Sequence, residues 1–206
     1  MGGIDRLISN ALTNEIKKKM DMDLLSKVER ELFLEHGMSI KLSIEYFQKF
    51  KSILKKNSNL DVHEFEKSCI NKILRIKKLD GKYFVTITNP NLSDLILGFF
   101  GEGYSRSIIT TLLEKELTIP QILKESKGPK TSGYRKIENM IINGLIIETG
   151  KILSESKKIA KLQCIFQEIN LDIKKGKISV NGIISQKMME NSTSMKSILE
   201  TLEQPK

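Results

Sequence analysis

The segment TSGYRKIENMIINGLI, residues 131–146, decides the fold of the chain. Within it Ile137, Met140 and Ile141 recur at the three- and four-residue spacing of a helix that buries one face. A glycine then ends the pattern, and the β-prone run Leu145–Thr149 follows. The segment therefore predicts a helix over about Thr131–Asn143 that leads directly into a strand.

The residues on either side predict further helices and a second strand. Upstream, a helix is predicted from Tyr104 to Glu116, and Thr118 opens another with a capping-box partner, Gln121, three residues later. A Gly-Pro turn precedes the third helix. Downstream, polar residues separate the first strand from a second, predicted over Ala160–Ile169. Helix, helix, short turn, helix and hairpin is the order of a winged helix-turn-helix, over about residues 104–166.

This region resembles the ArsR-like winged-helix transcription regulators, in their archaeal form. The resemblance covers about residues 92–182 and rests on YSRSIITTLLEKELTIPQILKES (104–126), on GPKTSGYRKIENMIINGLIIETG (128–150) and on the wing. It implies a sequence-specific regulator of transcription that binds double-stranded DNA. It also implies that Thr131–Asn143 is the recognition helix and lies in the major groove, with the wing on the backbone.

The candidate DNA contacts lie on the face that the apolar stripe leaves free. Arg135 is the candidate for base contact, because arginine pairs bidentately with guanine. The other candidates are Lys130, Thr131, Ser132, Tyr134 and Lys136 for phosphates, Asn139 on the same face, and Lys151, Lys157 and Lys158 at the wing tip. Gly133 stands where relatives often carry an apolar residue, and it either loosens the helix start or allows a close backbone approach.

Positive charge is concentrated around these candidates. The chain has 206 residues and a formal net charge of +9. Residues 124–161 alone carry nine Lys or Arg and four Asp or Glu, while the remainder of residues 81–206 balances to zero. A basic excess focused on one segment is typical of a surface that binds phosphates.

The rest of the chain is predicted to be mainly helical with small β-hairpins, which makes the whole an α+β protein. Residues 1–90 are predicted to form a helical domain that ends in a hairpin turning at Asp80-Gly81, and to dimerise or sense a signal. The segment ELFLEHGMSIKLSIEYFQKF (31–50) loosely resembles a small helical domain attached to archaeal regulatory proteins. Residues 91–184 form the winged-helix domain, and residues 185–206 a C-terminal helix or a disordered tail.

Other classes of function find little support in the sequence. No apolar run is long enough to span a bilayer and no secretory signal is recognisable, so a cytoplasmic protein without membrane contact is predicted. Cys69, Cys164, His36 and His63 form no metal-binding motif, and no nucleophile–base pair is present, so neither a cofactor nor catalysis is expected. The predicted partners are double-stranded DNA and a second copy of the chain. The alternative is a winged helix that docks on a protein of the transcription machinery.

Overall fold

The computed structural model describes residues 3–154, 157–175 and 177–203 and has a mixed α+β fold, as predicted. The helices are α1 (Asp5–Lys19), α2 (Met22–His36), α3 (Ile40–Ser43), α4 (Phe47–Asn57), α5 (Val62–Ile70), α6 (Pro90–Gly101), α7 (Gly103–Thr111), α8 (Ile119–Glu125), α9 (Lys130–Ile142), α10 (Gln186–Glu190) and α11 (Lys196–Glu203). The strands are β1 (Leu74–Leu79), β2 (Lys82–Ile87), β3 (Ile146–Ser154), β4 (Lys157–Cys164), β5 (Phe166–Lys174) and β6 (Lys177–Ile184).

The helix boundaries in the first 70 residues follow local capping chemistry. Gly37 ends α2 in the left-handed conformation, with φ of 63°. The Ser39 side chain accepts a hydrogen bond from the Leu42 amide, and Asp61 caps α5 in the same way. The segment from Ser39 to Lys56 does not form one continuous helix. A 3₁₀ turn over Ile44–Tyr46 separates α3 from α4.

Two hairpins that are distant in sequence combine into one sheet. Asp80 and Gly81 both have positive φ, as expected of a tight hairpin turn, and they join β1 to β2. β2 then pairs with β6, so that the four strands lie in the order β1-β2-β6-β5. The boundary predicted at residue 90 therefore separates two segments that share a sheet and a continuous core.

The C-terminal residues pack against the beginning of the chain. Residues 185–206 were predicted to be a helix or a disordered tail; up to residue 203 they contain two short helices, α10 and α11, which bury Met188, Met189 and Ile198. Between them, a polar segment meets the fully buried carboxylate of Asp5 in α1. This carboxylate accepts hydrogen bonds from the backbone amides of Thr193, at 2.7 Å, and Ser194, at 3.2 Å. Asp5 thus fixes the C-terminal segment to the first helix.

The strands after α9 differ in length from the prediction. Residues 150–154 and 157–159 were expected to be a polar loop, but β3 and β4 pair from Ile146 opposite Cys164 out to Ser154 opposite Lys157. Exposed residues lie on both faces of this outer part of the hairpin, so the sequence lacks the apolar–polar alternation of a half-buried strand. The single strand predicted over Ala160–Ile169 is also wrong, because the chain bends at Ile165 and β5 joins the other sheet.

Among the described residues, no helix is long and apolar enough to cross a membrane.

Candidate nucleic-acid interface

The helix α9 presents a polar face to solvent because its apolar residues are fixed in the core. Ile137 and Met140 are fully buried, and Ile141 is half-buried. The side chains of Lys130, Thr131, Tyr134, Arg135 and Asn139 are exposed, whereas Ser132 and Lys136 are half-buried. The face predicted from the sequence is therefore accessible over most of its length, with a cation at its start and an arginine near its centre.

Gly133 is required by close packing rather than by a loose helix start. A Cβ atom at this position would stand 2.2 Å from Cδ2 of Leu123 and 2.4 Å from the hydroxyl oxygen of Tyr104. Gly128 receives the same tyrosine, whose ring would lie 2.0 Å from a Cβ there. The Tyr104 hydroxyl also donates to the Pro129 carbonyl at 3.4 Å. The two glycines thus let α7 and α8 approach the start of α9, which holds the exposed face in one orientation.

Lys136, by contrast, is paired with an acidic residue of the same chain. Its Nζ atom forms a salt bridge with Oε2 of Glu102, the residue between α6 and α7. No local sequence pattern links Glu102 to Lys136, because the two residues are 34 positions apart. Hydrogen bonds from Lys136 and then from the Ser105 hydroxyl hold the pKa of Glu102 below its usual value.

The β3–β4 hairpin carries the other three candidate lysines on both of its faces. Lys151, Lys157 and Lys158 are all exposed. From the pairing register, Lys151 and Lys158 share one face, with Leu153 between them, and Lys157 lies on the other. Lys151 is 3.6 Å from the carboxylate of Glu148, a surface pair of small energetic weight. Glu155 and Ser156, which the sequence placed in the polar connection, lie outside the described residues.

Metal or thiol chemistry finds no assembled site in the described part of the chain. Residues 3–154, 157–175 and 177–203 hold no group of three or more His, Cys, Asp and Glu side chains placed to bind a metal ion. Cys69 and Cys164 are both buried and free. Burial raises the pKa of Cys69 to about 11 and that of Cys164 to about 12.

These two thiols are expected to be inert in the folded protein. At about pH 8, a disulfide reagent is expected to label neither cysteine before denaturation and both afterwards, because the thiolate is the reacting species. Both folded-state pKa values lie above the ordinary 9.0, so the thiols add stability that is full below that pH and is lost as the pH rises above it. Rapid labelling of either cysteine in native buffer would contradict this expectation.

No family model matches the chain, and neither a curated protein nor a solved structure does. The side chains of α9 and of the β3–β4 hairpin therefore carry the functional proposal by themselves.

Proposed function

We propose that the protein is a sequence-specific regulator of transcription that binds double-stranded DNA. In this proposal, α7, α8, α9 and the β3–β4 hairpin act as a winged helix-turn-helix. Helix α9 enters the major groove and the hairpin contacts the neighbouring backbone. The observation that carries the proposal is the exposed face of α9, on which Lys130, Arg135 and Asn139 stand free of the core.

The composition of this surface supports contact with a polyanion. The segment 124–161 contributes +5 of the net charge of +9. Exposed lysines at the hairpin tip extend the basic surface beyond α9. Arginine and asparagine are also the side chains best suited to reading guanine and adenine edges, so the face combines phosphate and base chemistry.

A second candidate function is docking on a protein of the transcription machinery. It is favoured by apolar side chains on the same two elements: Leu153 on the hairpin is 75% exposed, and Ile142 on α9 is 66% exposed. Exposed apolar side chains on both elements would supply the apolar contacts that such docking needs. Salt-sensitive affinity for duplex DNA distinguishes the first function from this one.

The decisive test is binding of the full chain to duplex DNA as a function of salt, followed by selection of binding sites from random duplexes. We expect affinity to fall steeply between about 50 mM and 200 mM salt, because bound lysines and arginines release counterions. Replacing Arg135 by glutamine is expected to weaken binding to the selected site by about 1–3 kcal/mol and to relax its sequence preference.

The matched control for this substitution is Arg75→Gln, which removes the same charge from an exposed position on β1. This variant is expected to bind the selected site nearly as well as the unchanged protein. Absence of any salt-dependent binding to duplex DNA at low ionic strength would contradict the proposed function and leave protein docking.

The homodimer predicted from the sequence stays a prediction. A palindromic sequence recovered by the site selection would support it, since two-fold symmetric proteins bind two half-sites.

A further inference from the structure

Glu102 faces the middle of α9 from the connection between α6 and α7. Its Oε2 atom pairs with Lys136 and also accepts a hydrogen bond from the Ser105 hydroxyl at 2.9 Å. Ser105 is 3% exposed, so its hydroxyl positions the carboxylate from the core side. Glu102, Lys136 and Asn139 line a cleft of ≈ 430 Å³ between α6 and α9. The acidic group is therefore held at the rim of the basic face rather than placed there by a freely rotating side chain.

The negative charge of Glu102 acts on two of the candidate cations. Lys136 is 19% exposed as a side chain, because the salt bridge folds it into the cleft. Arg135 also contributes, by its positive charge, to the lowered pKa of Glu102. A carboxylate and a phosphate oxygen are equivalent acceptors for an ammonium group. A phosphate that contacts Lys136 therefore competes with Glu102.

We propose that Glu102 is a built-in competitor for phosphate, which holds Lys136 in the free protein and restrains the affinity of α9 for DNA. The inference rests on the proposed function, because it concerns regulation of the same face. A duplex gains Lys136 only when the helix docks closely enough to replace the carboxylate. The displaced carboxylate then repels the phosphate backbone. Loose, sequence-independent encounters leave the pair intact, so Glu102 acts as a positioning residue that favours closely docked sites.

The experiment is a titration of a labelled duplex of mixed sequence with full-length protein across a salt series. In Glu102→Gln, we expect affinity at low salt to rise about 5- to 10-fold and the salt slope to steepen by about one unit, as one further cation becomes available. The control is Glu64→Gln in α5, which removes the same charge from an exposed carboxylate 3.7 Å from Lys67. Its affinity is expected to stay within about 2-fold of the unchanged protein.

A double-mutant cycle separates competition from a general charge effect. In the Lys136→Gln background, Glu102→Gln is expected to change the affinity by less than about 2-fold, because the lysine that this substitution releases is absent. Equal affinities of Glu102→Gln and Glu64→Gln would overturn the inference, as would the same gain from Glu102→Gln in the presence and in the absence of Lys136.

DNA binding by the unchanged protein distinguishes failure of this inference from failure of the proposed function. If it binds duplex DNA in a salt-dependent way and the cycle gives no coupling, only the role of Glu102 is wrong. If it binds no duplex, the proposed function fails and the role of Glu102 fails with it. Thermal unfolding of each variant shows whether a lost affinity reflects lost folding.

Discussion

Replacing Gly144 by alanine is expected to lower the free energy of unfolding by about 3 kcal/mol or more, combining left-handed strain with overpacking. Gly144 connects α9 to β3 and has a φ of 74°, a conformation that an L side chain adopts only under strain. A Cβ atom there would also stand 2.4 Å from the backbone nitrogen of Leu7 in α1. Because that neighbour is helix backbone, it has no side-chain rotation with which to move away.

Two glycine controls divide this effect into its causes. Gly37→Ala imposes the left-handed strain alone, since no atom lies within 4 Å of its Cβ position, and is expected to cost about 1 to 2 kcal/mol. Gly98→Ala, on an exposed position of α6 with similar open space, is expected to stabilise by about 0.5 to 1 kcal/mol through helix propensity. Denaturant unfolding measures all three. A Gly144→Ala cost no greater than that of Gly37→Ala would show that α1 does not press on this connection.

Replacing Asp5 by alanine is expected to cost about 3 to 5 kcal/mol, because it leaves several buried donors without their acceptor. The carboxylate accepts from the Ser194 hydroxyl at 2.6 Å and from the Ser192 hydroxyl, in addition to the two backbone amides of the same segment. The Thr193 hydroxyl lies 3.1 Å from Asp5 and 3.2 Å from the Ile44 carbonyl. One acidic group thereby ties α1, the 3₁₀ turn and the C-terminal segment together.

The comparison for this variant is Asp94→Ala, an exposed acid on α6 that is expected to change stability by less than about 0.5 kcal/mol. A second substitution, Ser194→Ala, is expected to lower the stability of the Asp5→Ala variant much less than it lowers that of the unchanged protein. The reason is that the two side chains are hydrogen-bonded to each other. Additive costs, or an Asp5→Ala variant as stable as Asp94→Ala, would contradict the proposed anchoring of the C-terminal residues.

Features of this fold that depend on neighbouring residues were predictable from the sequence. Gly37, Ser39, Asp61, Asp80-Gly81 and the pair of Thr118 and Gln121 each encode a cap or a turn through chemistry that acts over two to four residues. The capping box is present, with the Thr118 amide donating to Oε1 of Gln121 at 2.8 Å. The helix α9 was predictable for the same reason, because its apolar spacing is local.

Features that depend on distant residues were not predictable. The pairing of β2 with β6, the docking of residues 192–194 on Asp5 and the salt bridge of Glu102 with Lys136 join positions that share no sequence pattern. The ambiguity at Gly133 had the same origin, because only the positions of Tyr104 and Leu123 reveal why a side chain is excluded. For the candidate site, the exposed face was predictable, but the neutralisation of one of its lysines was not.

The pairing of β2 with β6 has a consequence for how the chain is made. A ribosome adds about 5 to 20 residues per second, so several seconds pass between the synthesis of β2 and that of its partner β6. During that interval the nascent chain exposes the unpaired edge of β2, and Asp5 has none of the donors at residues 192–194. The β2–β6 pairing and the hydrogen bonds of Asp5 therefore form only after residues 177–194 have left the exit tunnel.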